Sequence, residues 1–299
     1  LIFVPIPPCK SKLPKEDEDF MNLFKSKAGN MSTYHNSISS DSRDIKSYRP
    51  YISSLAEALE SAEVKNKTLN SKFTDPFHPK SKDSSISIMT EMANATWNYA
   101  SDLMHQIHSL DASSAESLKS MKPLISDLIA CSDTLSNLID PSLNHDLVTK
   151  SAHAKNHPYI TPEVVHVLKS YVQYIADTWQ LSCILSKNPA LTPPLMVCCI
   201  KDISDCLSGA QNLPKEASSF FISAFKGISR YLQLLVRIQL GQNCESQTEY
   251  GQAIAYYNNG IEIANKPLYL EGVAEEVEEE EEKPKDKKEK DSKKKDKDE

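Results

Sequence analysis

The chain has 299 residues, with 34 basic against 41 acidic, 39% hydrophobic and 7 glycines. With no surplus of basic charge there is no face for phosphate contacts, which excludes nucleic-acid binding on electrostatic grounds. Scarce glycine within long apolar-periodic stretches favours helices over a turn-rich sheet, so the expected fold class is all-α.

In chain order, LIFVPIPPCK reads as a short β-like segment closed by Pro7 and Pro8, expected to lie as a strap on a helical body. Residues 29–43, rich in Ser and Asn, read as a loop between helices near 16–28 and 44–63. After a polar loop over 72–83, Met89, Met92, Thr96, Ala100, Leu103, Ile107 and Leu110 recur at helical spacing, with Trp97 and Tyr99 on the flanks. Ser113 and Glu116 have capping-box spacing for the next helix, whose core face runs from Leu118 to Ile139. Pro123 is expected to kink that helix or delay its start.

Thr161-Pro162-Glu163 supplies a hydroxyl cap, a first-turn proline and an acid for a helix to about Ser186. Thr192-Pro193-Pro194 opens another, ended by Gly209. A long amphipathic stretch follows from Pro214, with Gly241 as its expected close. The last helix, EYGQAIAYYNNGIEIA, has small residues at Gly251, Ala253 and Ala255 for close approach, and Ile254, Tyr257, Ile261 and Ala264 on one face. Helix after antiparallel helix gives an α-solenoid or an irregular bundle, and the last two helices resemble a tetratricopeptide-like hairpin.

Two domains are expected: a helical domain over 1–270 and a charged low-complexity tail over 271–299. From Glu275 to Glu299 there are 13 acidic and 9 basic residues, so this segment holds −4 of the net −7. Lacking an apolar face, it is expected to be disordered. An odd number of cysteines on apolar helix faces reads as reduced intracellular thiols, and no run of about 18 apolar residues is present. A cytoplasmic location follows, and the start at Leu1 rather than Met points to a fragment.

His105 with His108, and His153 with His157, have no Cys or acidic partner at ligand spacing. Cys198 and Cys199 cannot face one direction on a helix, and there is no C-x-x-C, P-loop, nucleophile elbow or dinucleotide fingerprint. No catalytic residue, cofactor or metal is expected, and the chain is read as a non-enzyme.

Five stretches occur in order over about 265 residues: LIFVPIPP, KFTDPF, the helix pair 84–140 ending LSNLID, ITPEVVHVLKSYVQYIADTWQLSCILSKN, and EYGQAIAYYNNGIEIA. In that order they resemble the Bro-one (BRO) domain family. The resemblance implies an elongated, boomerang-like α-solenoid with a tetratricopeptide-like core. It also implies a non-enzymatic adaptor, recruited from cytoplasm to the endosomal surface for sorting or membrane remodelling. Its partner would be a Snf-seven-type ESCRT-III subunit, whose C-terminal amphipathic helix enters a hydrophobic groove.

Matching without gaps carries the groove onto Ser182, Leu195 and Cys199, and a family lysine onto Lys122. Ser182 stands where many members have an aromatic, and Leu118 where the family has an acid. The one-turn spacing of Leu195 and Cys199 fits a core stripe equally well. Relatives continue with further helices, so the C-terminal arm is expected to be shortened here. The alternative is a tetratricopeptide-like cytosolic scaffold that binds an unrelated peptide in a groove lined by Asn, Lys and Arg.

Overall fold

The structure, a computed structural model, describes residues 3–12, 33–34, 45–60, 68–69, 72–74, 77, 82–83, 86–139, 161–185, 187–188 and 191–266. The helix expected near 16–28, most of the 29–43 loop, the segment holding His153 and His157, and the charged tail lie outside the described residues. Contacts divide the chain into one unit over Leu1–Asn265 and another over Lys266–Glu299, and every element below belongs to the first.

The described helices are α1 Tyr48–Leu59, α2 Ile88–Ser109, α3 Ala115–Ile139, α4 Pro162–Leu185, α5 Thr192–Ala210, α6 Lys215–Ser246 and α7 Tyr250–Asn265. Each packs on the next in sequence, from α1 on α2 through to α6 on α7. The fold is all-α. Short antiparallel strands accompany it: β1 Lys10–Lys12, β2 Thr68–Leu69, β3 Lys72–Thr74, β4 Lys82–Asp83 and β5 Ile86–Ser87. Strand β3 lies between β1 and β4, and β2 pairs with β5. The expected polar loop over 72–83 therefore carries two strands, and the β-like opening becomes a ladder only after its prolines, where amide donors resume.

Residues 3–9 are held by side chains instead. The Tyr171 hydroxyl accepts from the Val4 amide at 2.7 Å and donates to the Val4 carbonyl at 3.0 Å. Ser101 Oγ donates to the Ile6 carbonyl at 2.6 Å, Trp97 Nε1 to the Pro7 carbonyl at 2.8 Å, and Asn98 Oδ1 accepts from the Cys9 amide at 2.7 Å. Phe3, Ile6 and Cys9 are buried, and a spacing of three suits a proline-rich segment with three residues per turn.

Helix α2 is the centre of the core. Residues 90–104 are buried on every side, polar ones included, where the sequence pattern led us to expect one apolar stripe. The polar side chains have partners: Tyr48 donates to Asp102 at 2.6 Å, Tyr51 to Glu91 at 2.9 Å, and Thr96 to the Met92 carbonyl at 2.7 Å. Aromatic contacts tie α2, α4 and α6 together, with Phe77 against Trp97 and Phe221, and Tyr171 against Phe225 at 4.9 Å.

The helix ends follow capping chemistry. Ser87 caps α2 and Thr161 caps α4 through hydroxyls that accept from Thr90 and Val164 amides. Helix α3 starts from Ser114, which accepts from the Ser117 amide, whereas Ser113 bonds to Asp111; Pro123 lies inside the helix. Helix α6 does not end at Gly241 but runs to Ser246. Gly241 is buried there because a Cβ would run into the Tyr257 ring of α7. The true end is a Schellman turn: Glu249 N–H donates to the Cys244 carbonyl at 2.8 Å and Thr248 N–H to that of Glu245 at 3.0 Å. On α7 the face against α6 is made by Ala253 and Gly260, while Ile254 and Ile261 are exposed.

Candidate functional site

The seam between α4 and α5 has a surface of mixed chemistry. Val167 on α4 meets Gly209 on α5, where an added Cβ would lie 3.1 Å from Val167 Cγ2, so glycine permits the close crossing. On one flank, Asp177, Leu181 and Ile184 recur at i, i+4 and i+7 on α4. Leu191, Leu195, Cys198, Asp202 and Asp205 recur at i, i+4, i+7, i+11 and i+14 along α5. Both stripes are single helical faces. Asp177 and Asp202 interact electrostatically across the seam, so the antiparallel stripes run side by side.

One end of this surface is apolar. Ile184 is 45% exposed and Leu191 40%, with Leu181 and Leu195 half-buried between them and Cys198 open to solvent. The other end is acidic. Partial burial and then Asp177 and Asp205 hold the Asp202 carboxyl above its usual value, with Lys201 opposing. Asp177 is also oriented by Gln173 Nε2, which donates to it at 3.0 Å. Below the surface, burial pushes the Cys199 thiol up to about 11, with Asp202, Cys198 and Asp177 adding to it.

The four residues carried over from the family pattern are placed unequally. Leu195 lies on the seam, half-buried on the first turn of α5. Cys199, one turn on, is 5% exposed and forms part of the core beneath. Ser182 is half-buried and donates to the Thr178 carbonyl at 2.8 Å; five residues from Asp177, it leaves α4 about 140° away. Lys122 is exposed on α3, which packs along the other side of α4, where Trp179 Nε1 donates to the Leu118 carbonyl at 2.9 Å and Lys169 pairs with Asp133. The structure thus brings Ser182, Leu195 and Cys199 to one helix pair and leaves Lys122 across α4 from it.

The sequence reading missed Ile184, Leu191, Asp177 and Asp202. A usable signal existed in the two stripes just described, but it required pairing them through the antiparallel turn between α4 and α5. No disulfide joins any of the seven cysteines, and Cys198 and Cys199 face apart. Among the described residues no three His, Cys, Asp or Glu side chains gather as a metal-holding group, and His108 packs edge-on against Phe3. No helix among them is long and apolar enough to cross a membrane.

No family model and no curated protein matches the chain in sequence. Solved structures do. ALIX in complex with the SIVmac239 PYKEVTEDL late domain superposes with a TM-score of 0.57 at 13% identity, over 92% of this chain and 42% of its own. The ALIX BRO1 CHMP4C complex superposes with a TM-score of 0.59 at 12% identity, over 94% of this chain and 86% of its own. The chain thus spans less than half of the first and most of the second. Such a match at such identities is one of backbone architecture: the chain has the all-α fold of the BRO1 domain.

Proposed function

We propose that the chain is a non-enzymatic adaptor whose α4–α5 seam receives the amphipathic C-terminal helix of an ESCRT-III subunit, placing it at the endosomal surface. The observation that carries this reading is the exposed apolar end formed by Ile184, Leu191 and Leu195 beside two helices, the form of surface into which an apolar helix face is laid. The likeness to the ALIX BRO1 CHMP4C complex supports the class of partner. The acids two turns away select its charge: the bound helix carries basic residues about 10 Å along its axis from its apolar anchors. Ser182 in place of an aromatic leaves more of the affinity to Ile184, Leu191 and Leu195.

The test is binding of fluorescent C-terminal helices of Snf-seven-type subunits to the full chain, followed by anisotropy. Leu195→Asp and Ile184→Asp are expected to weaken binding by about 5- to 150-fold, as loss of a buried aliphatic contact is worth about 1–3 kcal/mol. Binding that ignores both substitutions, or no binding by the unmodified chain, rejects the seam as the site.

A further inference from the structure

Five of the nine large hydrophobic side chains exposed among the described residues lie on the α6–α7 hairpin: Tyr231, Ile238, Tyr250, Ile254 and Ile261. Helical geometry places them together. The contact line between the helices runs through Arg230, whose guanidinium donates to the Ala264 carbonyl, through Arg237 beside Gly260, and through Gly241 beside Tyr257. Tyr231 and Ile238 each follow a contact-line residue by one position, a rotation of about 100°. Ile254 and Ile261 follow the buried Ala253 and Gly260 in the same way. In antiparallel right-handed helices, equal rotation from the contact line emerges on the same side, so both pairs share one flank. The register alternates Tyr231, Ile261, Ile238, Ile254 and Tyr250 along it.

From Tyr231 to Ile254 this flank is free of charge as well as apolar; the exposed Glu245, seven residues on from Ile238, is its one charge and lies at the Tyr250 end. Between residues 220 and 242 on α6 its other positions include Phe220, Gly227 and Gln242, and on α7 they include Asn258 and Asn265. Lys226, Arg230 and Arg237 lie on the contact line or beyond it, and Glu262 is on the far side of α7. With exposures of 42% to 62% and roughly 200 Å² per side chain, the five residues present about 500 Å². A patch of that size is near the upper end of what a monomer exposes, where such patches are often functional.

We propose that the occupant of this flank is a second copy of the chain, joined about a two-fold axis. A two-fold interface sets each surface against itself, so it tolerates apolar and amide side chains and penalises charge. A chain of net charge −7 repels its copy elsewhere, and the flank, with Glu245 at one end only, is where that repulsion is weakest. Two flanks face to face hide about 1,000 Å² before the amide rim is added, which reaches the lower range of specific interfaces. The four helices then pack as in a bundle. A charged foreign helix, by contrast, would find only Glu245 at one end here, against three acids at the α4–α5 seam.

Sedimentation equilibrium of the full 299-residue chain tests this, from low micromolar to about 200 µM. A monomer–dimer equilibrium is expected. Ile254→Asp and Ile261→Asp, both at exposed positions, should each raise the dissociation constant at least tenfold with the circular dichroism spectrum unchanged, while Glu262→Lys leaves it alone. A monomer at every concentration overturns the proposal, including the case in which the flank binds only another protein's helix. Dimers indifferent to both aspartates overturn it too.

Discussion

Thr248 has φ 63°, the one non-glycine residue with positive φ in the structure's described part, and it occupies the left-handed position of the Schellman turn after α6. A β-branched residue there costs about 1–2 kcal/mol that glycine avoids, against a smaller gain in unfolded-chain entropy for glycine. Thr248→Gly is therefore expected to stabilise the fold by about 1 kcal/mol, read as a rise in the urea midpoint. Sequence reading placed the helix end at Gly241 because glycine ends helices more often than it packs inside them, and the two roles look identical in one dimension. Glu91 poses a different residue-scale question. Burial lifts its carboxyl to about 7 although bonds from Tyr51 and Asn94 pull it down. In the unfolded chain it titrates near its ordinary value of 4.5, so between pH 4.5 and 7 the folded state holds the extra proton and stability falls as pH rises. Below 4.5 the contribution is fully present, and above 7 it is lost. Relative to Glu91→Gln, which cannot titrate, the wild-type chain should lose on the order of 3 kcal/mol across that window, measured by denaturant unfolding at pH 4.5, 6 and 8.

At the scale of elements, periodicity sufficed for α2 to α7 because each carries enough apolar residues at helical spacing to declare a period, and Ser, Thr and Pro mark several of the starts. The faces were less legible. The pattern of α7 drew attention to Ile254, Tyr257 and Ile261, but the chain buries Ala253 and Gly260, since small residues let α6 approach and large ones would hold it away. Likewise α2 lacks a stripe because neighbours surround it, and its polar residues are retained as fasteners for the opening segment. Residues 3–9 contribute no ladder, so side chains bear the whole task of holding the backbone there. Asn98→Ala removes the acceptor for the buried Cys9 amide and should destabilise the fold by about 1–3 kcal/mol. Hydrogen exchange localises the effect: the amides of Val4, Ile6 and Cys9 should exchange faster by a larger factor than those of α5 or α6. Equal acceleration everywhere would mean that Asn98 supports the core at large and not the segment.

For the whole molecule, what matters is that two surfaces of opposite character lie on different helix pairs. The α4–α5 seam combines aliphatic side chains with Asp177, Asp202 and Asp205, whereas the α6–α7 flank has a single acid, Glu245, at one end. The first should respond far more strongly to salt, because screening acts on exposed charges and leaves apolar contact nearly untouched. This separation was invisible in the sequence, where Asp202 reads as ordinary surface charge and Leu191 as part of a turn; their significance comes from antiparallel pairing across α4 and α5. If the seam takes a basic amphipathic helix, replacing Asp177 and Asp202 together by Asn should slow association several-fold at low ionic strength and flatten its dependence on salt, with dissociation changed little. Leu195→Asp should do the reverse and act mainly on dissociation, since it removes a contact made only once the helix has docked. Stopped-flow anisotropy over a range of sodium chloride concentrations separates the two. An unchanged salt dependence in the Asn pair would show that the acids stand clear of the bound helix, and that any partner is held by the aliphatic end alone.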